Sequence, residues 1–232
     1  MRKSRPLWPR LVQAVLVLAV PVLLLVIALR VVTGHWFVRW EYGKASFPPD
    51  PFGLSTAERT RLAEVCVDYL ATNADLSLLA DLRLPDGKPA FNARELRHMD
   101  DVQVVYNWMT IAGIVAGLVL VGGLAILRAS RHTRRRAPAA LLRGSLLTLG
   151  VLAAVGATMV LSWGEFFTTF HRIFFEGDTW TFPYSDTLIR LFPMRFWIDV
   201  AAAIVTLLVA QALVLAALGR TWARRTHSAA RT

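Results

Sequence analysis

Four apolar stretches, each about as long as a helix needs to cross a hydrocarbon core, decide most of what this chain can become. They occupy residues 11–33, 104–127, 141–163 and 197–218, and each is bounded by charge. A membrane span takes roughly 20 helical residues. Hydrophobic residues make up 55% of the chain and the mean hydropathy is +0.47, which sets it outside ordinary soluble domains. The first stretch follows a basic segment, as a signal peptide would. It is longer than the roughly 7–15 residues of a signal core, and no small-x-small cleavage site precedes Arg30. It is therefore read as a retained span. The expected fold is an all-α transmembrane, four-helix membrane bundle.

Charge placement sets the expected orientation, because cytoplasmic flanks collect Lys and Arg. Arg2, Lys3, Arg5 and Arg10 precede the first span. Arg128, Arg131, Arg134, Arg135, Arg136 and Arg143 flank the connection between the second and third, and Arg220, Arg224, Arg225 and Arg231 follow the fourth. None of the 16 acidic residues lies in these segments. Both termini are expected on the cytoplasmic side of the membrane. The chain then divides into residues 1–33 (cytoplasmic N-terminus and first span), 34–102 (first extracytoplasmic region), 103–127 (second span) and 128–140 (basic cytoplasmic loop). Residues 141–163 form the third span, 164–196 an aromatic extracytoplasmic loop, 197–219 the fourth span and 220–232 the cytoplasmic tail. The same placement accounts for the net charge of +10 through anionic lipid at the inner face, without a nucleic-acid partner.

The first outer region has readable local structure. Trp36, Val38, Trp40 and Tyr42 alternate with Phe37, Arg39 and Glu41, a strand-like period. Ser55 to Glu58 reads as a capping box opening a helix with Leu62, Val65, Tyr69 and Leu70 on one face. These features predict a small extracytoplasmic α+β cap, with a turn at Pro85-Asp86-Gly87. A second capping box, Asn92 to Glu95, carries a hydrophobic staple between Phe91 and Leu96. Residues 94–107 hold no Pro or Gly, so this helix is expected to continue into the second span. Glu95, His98 and Asp101 then share one face, setting an imidazole between carboxylates.

Residues 163–197, the second outer loop with a flanking tryptophan at each end, hold half of the chain's Trp, Tyr and Phe residues, a density that suits the headgroup layer. Phe166, Phe167, Phe170, Phe174 and Phe175 surround His171. His98 stands 30 residues before Arg128 and His171 stands 28 after Arg143. Straight helices would carry them roughly 45 and 42 Å from the basic side. That arithmetic sets both imidazoles at one depth, with Gly164 as the point where a bend would upset it.

Other reactive residues have ordinary readings. Cys66 is the only cysteine, which excludes an intramolecular disulfide. Glu64 and Asp68 beside it disfavour a thiolate, so it is read as helix core. His35, His132 and His227 lack acidic and aromatic company and are read as interfacial or tail residues. Two histidines and an acid are also materials for a metal site. There is no HExxH and no clustered His pair, and no GxSxG, Walker or dinucleotide glycine motif occurs. Neither a metal nor a cofactor is expected.

The run Phe170-His171-Arg172-Ile173-Phe174-Phe175-Glu176-Gly177-Asp178-Thr179-Trp180-Thr181-Phe182 is followed by Asp186-Thr187-Leu188-Ile189-Arg190-Leu191-Phe192-Pro193 and Phe196-Trp197. It resembles a family of bacterial four-span membrane proteins that includes the lipoprotein intramolecular transacylase, Lit. Glu95-Leu96-Arg97-His98-Met99 with Asp101-Val102 is similar to that family's other signature. The resemblance implies a membrane acyltransferase acting on a diacylated lipoprotein. It moves the sn-2 acyl chain from its glyceryl oxygen to the amine of the same N-terminal cysteine, giving a lyso-form lipoprotein without a cofactor. It makes His98 and His171 the functional pair.

On that footing His98 is expected to act as base, oriented by Asp101 or Glu95, with His171 assisting the leaving oxygen or the developing oxyanion; the roles are interchangeable at this level. Phe167, Phe170, Phe174 and Phe175 are assigned to the acyl chains, and Trp180 and Arg190 to carbonyl or glyceryl oxygens. Arg outnumbers Lys 23 to 3, a composition of GC-rich genomes and a departure from the low-GC bacteria that supply the familiar members. Two readings stay open beside this one. The first is another membrane acyltransferase or lipid hydrolase using the same histidines; the second is a non-enzymatic membrane partner or sensor.

Overall fold

The computed structural model describes residues 6–177 and 179–228. Arg2, Lys3, Arg5, Asp178, the side chain of His227, and Arg231 lie outside the described residues. Among the described residues nine helices follow one another: α1 (Trp8–Val32), α2 (His35–Tyr42), α3 (Thr56–Thr72), α4 (Ser77–Ala80), α5 (Ala93–Ala129), α6 (Arg136–Leu161), α7 (Trp163–Phe174), α8 (Thr187–Leu191) and α9 (Met194–Ser228). Helices α1, α5, α6 and α9 are long and apolar enough to cross a membrane. The described residues make a nearly all-helical, multi-pass membrane protein.

The chain forms two compact units. The first comprises Met1–Ala28, Thr110–Thr158 and Val205–Thr232. Its helices meet through small residues. A Cβ at Gly123 would come within 2.6 Å of Leu16, and one at Gly144 within 2.6 Å of Val20. Leu16 and Val20 are themselves fully buried. Glycine lets helices approach this closely, which matters where lipid offers no hydrophobic drive for helices to associate. On another face of α1, Leu11, Val15, Leu18 and Val22 are exposed. In water such a stripe would aggregate; in hydrocarbon it is the solvated surface.

The second unit comprises Leu29–Met109 and Met159–Ile204. Its core joins Leu62, Cys66 and Tyr69 of α3 to Leu79 of α4, Phe91 and Met99 around the start of α5, and Leu188 and Leu191 of α8. The Ser55–Glu58 capping box is formed, with Ser55 Oγ accepting from the Glu58 amide at 3.2 Å and the Ser55 amide donating to Glu58 at 3.0 Å. The second box is formed as well. Asn92 Oδ1 accepts from the Glu95 amide at 3.1 Å, and the Asn92 amide donates to Glu95 at 2.7 Å. From there α5 runs unbroken for 37 residues.

Two expectations fail here. The α+β cap does not exist: among the described residues there is no strand, only an isolated bridge between Arg83 and Pro89. The segment read as strand-like is helix α2. Phe37, Val38, Glu41 and Tyr42 are buried while Trp36 and Trp40 are exposed, a spacing of three and four. Aromatics on both faces of a short helix imitate alternation, and eight residues are too few to separate the two periods. The straight-helix height for His171 also fails. The helix stops at Leu161, Ser162 adopts φ −155° and ψ 88°, and α7 begins anew at Trp163.

Candidate active site

Every element of the candidate site lies in the second unit. His98 sits on the second turn of α5, outside the apolar stretch 104–127, and His171 sits near the end of α7. Their ring centroids are 6.3 Å apart with the planes 22° from parallel. The two histidines singled out in the sequence therefore meet.

Spacing along α7 explains the presentation of His171. Phe167 and His171 are four residues apart on one face of α7, and Phe175, the extended residue that follows the helix, is buried together with His171. Phe170, Ile173 and Phe174 fall on the other and are exposed. Such an amphipathic helix suits the headgroup boundary, one face toward protein and the other toward acyl chains. His171 Nδ1 lies 2.7 Å from the Phe167 carbonyl. A carbonyl only accepts, so Nδ1 carries the proton and the lone pair of the neutral ring is on Nε2. The tautomer is fixed by the helix backbone itself.

An aromatic cage encloses both rings. Phe175 lies 4.9 Å from His98 and 5.6 Å from His171. Phe167 and Trp180 stand 4.1 and 5.0 Å from His171, and Phe170 5.5 Å. Phe182 completes the His98 side at 5.4 Å. Phe174 reaches the cage only through Phe170, at 5.0 Å. Burial among these rings pushes the His98 imidazolium down to about pKa 4, with the neighbouring His171 adding to the effect. Burial also lowers His171, while the bond to the Phe167 carbonyl pulls the other way. Both rings are thus neutral at pH 7. His98 Nδ1 is buried and has no hydrogen-bond partner among the described residues.

The expected supporting residues have other occupations. Both Glu95 oxygens accept backbone amides, from Asn92 and from Leu188, each at 2.7 Å. Glu95 therefore holds the start of α5 against the start of α8 rather than orienting His98. Asp101 forms no hydrogen bond to His98 among the described residues. Arg190 is spent on Asp50, through bonds of 3.1 and 2.9 Å, and the Asp50 side chain is fully buried. Burial alone would raise Asp50, but the Arg190 bonds and the Leu54 amide outweigh it and leave the carboxyl below its usual range. Trp180 Nε1 donates to the Gly177 carbonyl at 3.1 Å.

Several residues that build the site carried no assigned role. Arg59 of α3 is buried and donates to the Arg190 carbonyl at 3.0 and 2.7 Å and to the Pro48 carbonyl at 2.8 Å. The Tyr42 hydroxyl donates to the Leu191 carbonyl. Helix α8 is thus held by Glu95 at its amide end and by Arg59 and Tyr42 at its carbonyl end. A local signal existed: Arg59 shares the helical face of Leu62, Cys66 and Tyr69, where an unpaired guanidinium would be out of place. Lys44 bridges Glu41 and Asp199 at 2.6 and 3.2 Å. His35, read as a residue without company, bonds Asp68 at 2.7 Å. Cys66 is buried, and burial raises its thiol above the ordinary range, which leaves it unreactive.

The family model described as lipoprotein intramolecular transacylase Lit matches residues 12–197. An uncharacterized protein of Aquifex aeolicus (strain VF5) is 29% identical over 190 residues, covering 82% of this chain and 84% of that one. The fold is similar to the solved structure of the membrane integral lipoprotein intramolecular transacylase Lit from Bacillus cereus, with a TM-score of 0.80 at 21% identity over 95% of this chain and 98% of that one. Two further structures of the B. cereus protein, with one histidine replaced by arginine or by alanine, give TM-scores of 0.75.

Proposed function

Because this chain belongs to the lipoprotein intramolecular transacylase family, Lit, we propose that it catalyses the O-to-N transfer of an sn-2 acyl chain within a diacylated lipoprotein. The substrate is a lipoprotein held in the outer leaflet, and the product is the lyso form. The observation that carries this reading is the caged pair of His98 and His171, two neutral imidazoles 6.3 Å apart with one tautomer fixed. The basic flanks of the four spans support an orientation with both termini cytoplasmic and the histidines on the extracytoplasmic side.

The reaction balances without water or cofactor. The cysteine α-amine, of which roughly one in ten is neutral at pH 7, attacks the sn-2 ester carbonyl. The new C–N bond forms, an N–H proton passes to a base, the ester C–O bond breaks, and the glyceryl oxygen receives a proton. Nucleophile and ester belong to one molecule, so positioning them supplies much of the rate and no covalent acyl-enzyme is needed.

We assign the base to His171, which reverses the assignment expected from the sequence. Its Nε2 lone pair is set by the bond to Phe167, and that same carbonyl stabilises the imidazolium once a proton arrives. His98, buried with Nδ1 unpartnered, holds a proton poorly and serves as a neutral N–H donor to the developing oxyanion and the leaving oxygen. Phe170 and Phe174, exposed on α7, meet the acyl chains, while Phe167, Phe175 and Trp180 keep the imidazoles dry. Arg190 acts through Asp50 in positioning the loop, and Glu95 positions His98 through the capping of α5.

Mass spectrometry of lipoprotein N-termini tests this in cells expressing the wild type, His98→Ala or His171→Ala. The wild type converts a diacylated substrate to the lyso form with both chains retained. Full conversion by either variant overturns the His-pair mechanism, and release of free fatty acid by the wild type reassigns the enzyme as a lipid hydrolase.

A further inference from the structure

The first unit contains no acidic residue. Any arginine in it that needs an anion must find one outside that unit's own chain. Three of them gather at one place. Arg10 of α1 and Arg136 and Arg143 of α6 line a groove of about 530 Å³, and Gln13 lies at its wall. Gln13 is buried, and its Oε1 accepts from Arg136 Nη1 at 2.8 Å. The guanidinium is thereby held in place, with its remaining N–H donors free of that bond. Arg10 and Arg143 are exposed and have no carboxylate partner among the described residues.

Chemistry and shape both point to a ligand. Arg136 and Arg143 are seven residues apart on α6, two turns along one face, and Arg10 faces them from α1. Three guanidiniums around one groove suit the oxygens of a phosphate, for which the planar fork is matched. Arg136 also opens α6, whose unsatisfied amides and dipole favour negative charge there. The rest of the groove is apolar, lined by Ala14, Val17 and Leu18. Leu18 belongs to the exposed stripe of α1 that also holds Leu11, Val15 and Val22. A free phosphate has no use for that wall, whereas a phospholipid lays its acyl chain along it.

We propose that the groove between Arg10, Gln13, Arg136 and Arg143 binds the phosphodiester of an anionic phospholipid. The site is independent of the histidine pair and of the transacylase reading. A bound lipid neutralises guanidiniums on two helices at once and so ties α1 to α6.

The test uses the full-length protein in nanodiscs of phosphatidylcholine alone or with phosphatidylglycerol. The thermal midpoint and the lipids retained in native mass spectrometry are read for the wild type, for Arg10→Gln/Arg136→Gln/Arg143→Gln, and for the control triple Arg131→Gln/Arg135→Gln/Arg220→Gln. In phosphatidylcholine all three melt alike. Phosphatidylglycerol raises the midpoint of the wild type and the control but not of the groove variant, whose preference for it falls by about tenfold or more with three charge-assisted contacts gone. If the groove triple melts lower in phosphatidylcholine, Arg143→Gln alone, at an exposed position, must still reduce the preference. An equal loss in the control shows diffuse charge and overturns the site. So does retention of the shift by the groove variant. Inorganic phosphate added to phosphatidylcholine discs leaves the midpoint unchanged; an equivalent rise overturns the lipid assignment.

Discussion

The two units are held together by opposite means. In the first, all the charge is basic and helices touch through glycines and aliphatic side chains, as at Gly123 with Leu16 and Gly144 with Val20. In the second, buried ions and amides cross-link short elements: Asp50 with Arg190, Arg59 with the Arg190 carbonyl of α8, and Glu95 with two helix starts. The contrast follows from length. A span of 25 residues or more satisfies its own backbone and needs only shape from its neighbours. Helix α8 has five residues, too few to be stable alone, and so it depends on side chains that take up its end groups. The candidate site lies in the unit with polar cross-links, and holding two imidazoles in register calls for directional bonds.

The comparison is tested most severely at the histidines. His98→Ala and His171→Ala are each expected to lower lyso-lipoprotein formation by about 10²–10⁴-fold, read by mass spectrometry, while the melting temperature stays near that of the wild type. Next comes the cross-linked unit. Asp50→Ala strands Arg190 in a buried position and is expected to cost about 3–5 kcal/mol, seen as a lowered thermal midpoint in detergent or nanodiscs with loss of activity alongside. Gly144→Leu asks the same question of the first unit. Overpacking against Val20 is expected to cost about 1–3 kcal/mol, with the activity of the folded fraction preserved. If Gly144→Leu removed activity at unchanged stability, the division between the units would fail.

The pH dependence gives the finest reading. His98 titrates near 4 in the folded protein and near 6.5 when unfolded. Below pH 6.5 the unfolded chain binds a proton the folded one refuses, so stability is complete above that value and declines as pH falls toward about 4. Between pH 5 and 7 His98 stays neutral, and the rate is expected to rise with pH as the substrate amine loses its proton. His98→Gln is expected to reduce the stability slope, leaving the part that the buried His171 contributes. A slope unchanged by that substitution would place the titrating group elsewhere.

What could be read in advance divides along local and long-range lines. The spans, both capping boxes and the unbroken passage of α5 depend on neighbours within a turn or a hydropathy window, and all are visible in the letters. The meeting of His98 with His171 rested on a height that α7 does not obey, since the helix restarts after Ser162. It was legible through the motifs that resemble the transacylase family, not through the geometry. Helix α2 was misread because eight residues with aromatics on both faces carry two periods at once. Arg190 with Asp50 and His35 with Asp68 were missed because partners 140 and 33 residues apart leave no trace in local pattern.

Glu95 and Leu188, joined by one bond, stand 93 residues apart. During synthesis the first of them exists long before the second, and the loop that carries His171 emerges with the end of α8 still uncapped. Helix α8 takes its shape only when the outer turn of α5 and the buried guanidinium of α3 are already there to receive it. An order of assembly is thereby built into the contacts: α3 and the outer turn of α5 first, then the docking of one short helix against them.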